Sequence, residues 1–146
     1  MMVKIIDDII VVFLMEFSYK DENLEDEFKH LLDKLNKVYN IDIKGSYKIN
    51  LYKDKIYGAV LEITKDSDYY DYFNAIDLTI NIIDSHFLYE INDYIYNLNS
   101  DIYLYNNKIY VDINNKKDLY KVLEYSTIIY KENSIIKNGK KINNML

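Results

Sequence analysis

The feature that most constrains this chain is the run Ile9-Ile10-Val11-Val12-Phe13-Leu14-Met15. A membrane helix needs roughly 20 apolar residues, so this run is far too short to span a bilayer. Asp7 and Asp8 precede it and Glu16 closes it, whereas a secretory signal needs a basic flank, a longer apolar stretch and a small-residue cleavage site. Seven apolar residues in a row have no wet side, so the segment must be covered on both faces. The run is therefore predicted to be a buried central strand of a cytoplasmic protein.

The rest of the chain alternates between helical and extended periods. Leu24, Phe28, Leu31, Leu32, Leu35 and Val38 recur at three- and four-residue steps, which predicts a helix over Asn23–Tyr39. Glu25–Lys29 and Asp33–Lys37 stand four apart on its wet side, acid first. Tyr47, Ile49 and Leu51 then alternate with polar neighbours. The chain is expected to turn at Lys53-Asp54 and return as Ile56–Ile63. Asp66, Ser67 and Asp68 supply helix-start chemistry for a second helix with Tyr69, Tyr72, Phe73, Ile76, Ile80 and Ile83 on one face. Its tail also fits a strand, because Leu78, Ile80 and Ile82 alternate.

The pattern then recurs. Phe13–Phe17 returns as Phe87–Ile91, and Ile49–Tyr57 returns as Ile102–Tyr110. Asp68-Tyr69-Tyr70 and Asp118-Leu119-Tyr120 follow as helix starts, and only Asn92–Leu98 is left for the first helix of the second copy. An internal repeat is the reading of this ordered recurrence. Thr127–Ile142 is expected to form short strands, with Asn133-Ser134 and Asn138-Gly139 as turns.

Composition removes several function classes. The chain has no cysteine, so it has no disulfide, thiolate metal site or cysteine nucleophile. Its net charge is −6, and all 18 basic residues are lysine. Nucleic acid is therefore not an expected partner, because affinity for it comes largely from phosphate neutralisation and arginine is its best bidentate reader. Three scattered glycines cannot build a phosphate loop. Lys55–Glu62 faintly echoes an RNA-recognition strand, but Ile56 and Ala59 replace its glycine and aromatic, and Glu62 would repel phosphate. His30 reads as a solvated helix histidine beside Asp26 and Glu27, and His86 as a strand-start histidine beside Asp84 and Ser85. Asp66–Asp71 lacks the glycine and glutamate of a calcium loop. No cofactor and no metal are expected.

Tyrosine is the anomaly, with 17 in 146 residues. Tyr103 and Tyr105 alternate with Ile102 and Leu104, and Tyr52 takes the matching place in the first copy. Tyrosine combines large contact area, a polar tip and low ordering entropy, so it is enriched in protein interfaces. Tyr52, Tyr103 and Tyr105 are thus the candidate protein-interface residues. An exposed tyrosine edge equally suits a homo-oligomer.

Ser100–Tyr110 followed by Asp118–Tyr125 resembles the C-terminal domain of MecA-type adaptors, with its leucine-tyrosine, turn, tyrosine hairpin and following helix. Ile128–Ile136 is similar to that family's closing strand, and Phe28–Lys65 to the helix and hairpin of its N-terminal domain. Ser126 stands where the family has glycine. The resemblance implies a non-enzymatic adaptor that delivers proteins to a Clp-type ATPase. The family has no catalytic residues to carry over.

The resulting expectation is an α+β fold, an antiparallel sheet with helices mainly on one face. Two ferredoxin-like βαββα units would share one compact domain, residues 1–84 and a shortened 85–146 with C-terminal strands. Its core would hold Val11, Phe13, Leu31, Leu35, Ile49, Leu51, Leu61, Phe73, Ile76, Leu104, Val111 and Leu123. The expected function is an intracellular protein-binding regulator, adaptor-like, with a protein partner and no membrane. The alternative is a small acidic inhibitor, such as a toxin-immunity or phage counter-defence protein, whose charge suits a basic enzyme surface. A carboxylate-only enzyme would need paired acids converging in a pocket.

Overall fold

The computed structural model describes residues 1–17, 23–41, 45–67, 76–93, 97–131 and 135–142. The protein is a mixed α+β structure with two five-stranded sheets. Its contacts divide the chain into two units, Met1–Leu51 with Leu61–Ile82, and Tyr52–Val60 with Ile83–Leu146.

The first sheet has the order β1-β2-β4-β3-β5. The apolar run forms β2 (Ile9–Met15), which lies between β1 (Met2–Ile6) and β4 (Gly58–Ser67), with Val11, Val12 and Phe13 buried. β1 is a finding beyond the sequence reading. Asp7 and Asp8 flank the run because they are the two central residues of a hairpin turn, at φ 48° and 66°. Two consecutive positive φ values match the right-handed twist of the flanking strands, and Asp tolerates that region. The antiparallel register runs from Ile6↔Ile9 to Met2↔Phe13.

Helix α1 (Leu24–Tyr39) occupies the predicted span. Glu25, Asp26 and Glu27 fill its first turn and Lys37 its last, as the helix dipole favours. Asn40, in the left-handed region, ends it by donating its N–H to the Asn36 carbonyl. Phe28, Leu32 and Leu35 form the buried face. The stripe stops there, since Val38 is 63% exposed. The Glu25–Lys29 and Asp33–Lys37 pairs form at 3.4 and 2.9 Å.

Strand β3 (Gly45–Asp54) and β4 bury Ile49, Leu51, Ala59, Val60, Leu61 and Ile63. Their turn comes two residues later than Lys53-Asp54. The Asp54 carboxylate folds forward to accept the Ile56 and Tyr57 N–H groups at 3.0 and 2.9 Å. Gly58, at φ 126°, then restarts the strand.

The second helix is the main correction. Asp66 and Ser67 are the last residues of β4, and Ile76–Asp84 is strand β5, next to β3. The alternation of Leu78, Ile80 and Ile82 decides this segment, with β-branched residues suited to a pleated surface. Asp68–Ala75, including Tyr69, Tyr72 and Phe73, lie outside the described residues.

The second sheet has the order β10-β7-β8-β6-β9, antiparallel at every junction. Its strands are β6 (Leu88–Ile91), β7 (Asp101–Tyr105), β8 (Lys108–Asp112), β9 (Ser126–Ile129) and β10 (Lys140–Lys141). Asn106 and Asn107 make the β7–β8 turn at φ 50° and 62°, the same device as Asp7-Asp8. Helix α2 (Lys116–Val122) begins before Asp118, because the Asn115 side chain accepts the Asp118 N–H and caps it. The predicted helix at Asn92–Leu98 is not helical at Asn92, Asp93, Asn97 or Leu98, and 94–96 lie outside the described residues.

Within the predicted C-terminal strands, Ile135–Asn138 is instead one helical turn, α3. Gly139 N–H donates to the Ile135 carbonyl at 2.6 Å. Any Cβ at Gly139 would collide with that carbonyl oxygen, so glycine is required there. Asn133 and Ser134 lie outside the described residues.

Of the predicted core, Val11, Phe13, Leu35, Ile49, Leu51, Leu61 and Val111 are buried. Leu31 and Leu123 are half-buried, and Leu104 is 39% exposed. Phe73 and the Ile76 side chain lie outside the described residues.

Candidate functional site

The three interface tyrosines are all half-buried. Tyr103 and Tyr105 project from one face of β7, beside their cross-strand partners Tyr110 and Lys108. They pack on a cluster of Leu88, Tyr110 and Ile135, with Ile129 beside them. The sequence showed which side of the strand they take, but not that Ile129 and Ile135 would return to cover part of it. Tyr52 belongs to a different aromatic group. Its ring meets Tyr130 edge-on at 5.3 Å, Tyr130 meets Phe87 at 6.5 Å, and Phe87 meets Tyr57 at 5.8 Å. Tyr57, in the turn just before β4, is 5% exposed, and burial pushes its phenol pKa up.

The clearest polar constellation surrounds the β3–β4 turn. Asp54 Oδ2 holds the turn, while Asp54 Oδ1 accepts the Phe87 N–H at 3.1 Å. Ser85 N–H donates to the Lys53 carbonyl at 2.8 Å, and Ser85 Oγ donates to the Tyr130 carbonyl at 2.6 Å. These bonds leave a hollow of about 700 Å3 lined by Lys53, Asp54, Lys55, Asp84, His86 and Asp112 among others. His86 Nε2 lies 2.5 Å from Asp112 Oδ1, an imidazole–carboxylate pair at the mouth of this hollow. The two residues are 26 apart in the chain, so sequence spacing gave no signal for the pair.

That pair orients an imidazole, which is one ingredient of acid–base chemistry. Of the carboxylates that line the hollow, Asp54, Asp84 and Asp112, two hold neighbouring groups. Both Asp54 oxygens accept backbone N–H groups, and Asp112 Oδ1 is held by His86. Among the described residues, no three His, Asp or Glu side chains converge on a metal position. His30 is exposed on α1.

Two buried groups lie apart from the hollow's lining. Tyr89 is buried, and its hydroxyl has no hydrogen-bond partner among the described residues. Burial, with the Asp54 carboxylate adding to it, holds this phenol far above the usual range. Asp118 is fully buried, and its Oδ2 accepts from Asn99 N–H, Ser100 Oγ and Asn115 Nδ2 at 2.9, 2.6 and 3.1 Å. Desolvation opposes its ionisation, but the Ser100, Asn115 and Asn99 hydrogen bonds outweigh that and hold its carboxyl below the usual carboxylate range. This network anchors the start of α2 to the segment entering β7.

The most conspicuous apolar surface is one that sequence reasoning missed. On the β1–β2 hairpin, Ile5 is 65% exposed and Ile6 53% near the turn, and Met1, Met2 and Met15 are exposed toward its open end. Val38 and Tyr39 at the end of α1 are exposed too, and the Tyr39 hydroxyl donates to the Met1 carbonyl at 3.1 Å. β1 is the outermost strand of its sheet. The available signal was two acidic turn-formers between apolar stretches, Val3–Ile6 and Ile9–Met15.

No helix among the described residues is long and apolar enough to cross a membrane. No family model, no curated protein and no solved structure matches the chain.

Proposed function

We propose that this protein is a non-enzymatic, intracellular protein-binding regulator of adaptor type, which works by presenting apolar surface to a partner chain. The observation that carries the reading is the outermost strand β1, which exposes large apolar side chains on both of its faces, Met2 and Ile6 on one and Ile5 on the other. Soluble domains seldom leave such an edge bare, because it is a template for another chain. The half-exposed Tyr52, Tyr103 and Tyr105 offer a second contact area in the other unit. The engagement of the Asp54 oxygens in holding the chain supports a structural rather than a chemical role for the hollow.

A shortened ferredoxin-like second unit is supported by the strand order β9-β6-β8-β7, with α2 between β8 and β9. An internal repeat is supported by the strand order β2-β4-β3 of the first sheet, which returns as β6-β8-β7 in the second, although the turns at Lys55–Tyr57 and Asn106-Asn107 differ in construction. The resemblance to MecA-type adaptors supplies the specific form, delivery of proteins to a Clp-type ATPase.

Affinity capture from a lysate of an AT-rich bacterium tests this, with the wild type beside a variant carrying Ile5→Lys and Ile6→Glu. The reading expects the wild type to enrich a Clp-type ATPase or a regulator and the variant to lose it. Equal capture by both baits would overturn the role given to β1, and enrichment of neither class would overturn the adaptor form. The net charge of −6 favours a second reading, an acidic inhibitor of a basic enzyme. Binding that weakens steeply with salt and blocks such an enzyme would select it.

A further inference from the structure

We infer that the outer edge of β1 receives an extended protein segment as an added strand, with an acidic residue of that segment placed opposite Lys4. This deepens the proposed function and rests on it, because it names the chemistry of the partner at the same surface.

The turn determines which backbone groups are free. A two-residue turn with both φ values positive makes its flanking residues, Ile6 and Ile9, a mutually hydrogen-bonded pair. Pairing alternates along an antiparallel ladder, so Lys4↔Val11 and Met2↔Phe13 are bonded pairs as well. The N–H and C=O groups of Val3 and Ile5 therefore point away from β2. Among the described residues no strand lies beyond β1, so these groups form the docking edge.

Charge then selects the occupant. Lys4 is the central residue of β1 and its only charged side chain. Its ammonium sits over the Phe13 ring, 5.5 Å from the centroid, on the face shared with Met2 and Ile6. A second copy of the chain is a poor occupant. The antiparallel register with fullest overlap pairs Val3 with Ile5 of the other copy, and it places Lys4 directly against Lys4. Like charges directly opposite destabilise a pair, whereas opposite charges stabilise it. An added strand with glutamate or aspartate at that position, flanked by β-branched apolar residues, meets both the charge and the exposed Met2, Ile5 and Ile6.

The test uses the full chain and two fluorescent synthetic peptides, Ser-Thr-Val-Ile-Glu-Val-Ile-Thr-Ser and the same peptide with lysine for glutamate, read by fluorescence anisotropy. The glutamate peptide should bind the wild type about fivefold tighter than the lysine peptide. Lys4→Glu should reverse that order. Ile5→Pro should abolish binding of both, because it removes an outward N–H while sparing the bonds to β2. A thermal melt verifies that Ile5→Pro is folded. Should it not fold, a glutamate peptide N-methylated along one edge replaces it and should fail to bind.

Equal affinity of the two peptides, or no reversal with Lys4→Glu, overturns the charge assignment. Failure of both peptides to bind overturns strand addition, while the lysate capture above judges the broader protein-binding reading separately. A concentration-dependent dimer in sedimentation that Ile5→Pro dissolves overturns the choice of occupant, since the edge then takes a second copy.

Discussion

Two hairpins in this molecule are built on the same turn and meet opposite fates. Asp7-Asp8 joins β1 to β2, and Asn106-Asn107 joins β7 to β8, each with two residues at positive φ. β1 ends its sheet and carries Ile5 and Ile6 in the open. β7 is covered, because β10 pairs with it through Lys140↔Leu104 and Lys141↔Tyr103, and Ile142 N–H donates to the Ile102 carbonyl at 2.9 Å. Ile135 of α3 packs on the face that holds Tyr103 and Tyr105. Turn chemistry makes a hairpin, but distant chain decides whether its outer strand stays available.

Removing the cover of β7 shows what it contributes. Ile135→Ala should cost about 2–4 kcal/mol in denaturant unfolding, because it leaves a cavity beneath β7. Ile5→Ala, at the exposed counterpart, should change stability by less than about 0.5 kcal/mol. Similar losses at both positions would mean that β1 is covered in solution. Next in size is Asp118→Ala, which strands the donors of Asn99 and Ser100 and should cost about 2–3 kcal/mol. Asp118 also gives a pH signature. Its folded pKa lies below the unfolded value of about 3.9. Its stabilisation is therefore present above that unfolded value and is lost as pH falls through the lower folded one. Acid unfolding curves of Asp118→Asn should be flatter below about pH 4 than those of the wild type.

Gly139→Ala comes next, with an expected cost of about 1–3 kcal/mol, since a Cβ meets the Ile135 carbonyl. Hydrogen exchange should show the Ile142 amide losing protection before those of β8, as β10 detaches and β7 becomes an edge like β1. The smallest effects are expected at the two turns themselves. Asp8→Gly and Asn107→Gly should each stabilise by roughly 0.5 kcal/mol, because glycine takes positive φ without steric strain. A gain in one hairpin and a loss in the other, measured by thermal melts, would show that the turns are not equivalent.

The sequence was most legible where a single period dominated. The α1 stripe and the two central hairpins follow from spacing, and the β2 run from its unbroken apolar character, which matches the burial of consecutive Val11, Val12 and Phe13. Ile76–Ile83 satisfied two periods at once, so its strand character had to come from neighbours in space. β1 was hidden because its acids looked like the flank of the apolar run rather than the turn of a hairpin. α3 was obscured by turn-forming residues on both sides. The His86–Asp112 pair depends on strands separated by 26 positions, which no local pattern encodes. The tyrosines teach a similar lesson. Alternation assigned Tyr103 and Tyr105 to a face, but the exposure of that face depends on α3 and β9.

The row Tyr52, Tyr130, Phe87 and Tyr57 also has a spectroscopic consequence. The chain contains no tryptophan, so its near-ultraviolet optical activity comes from phenol and phenyl rings. Neighbouring rings 5.3 to 6.5 Å apart at fixed tilts give chiral signals that freely rotating tyrosines do not. The row thus contributes a label-free signal of side-chain order around the Asp54 turn, which Tyr52→Leu should diminish.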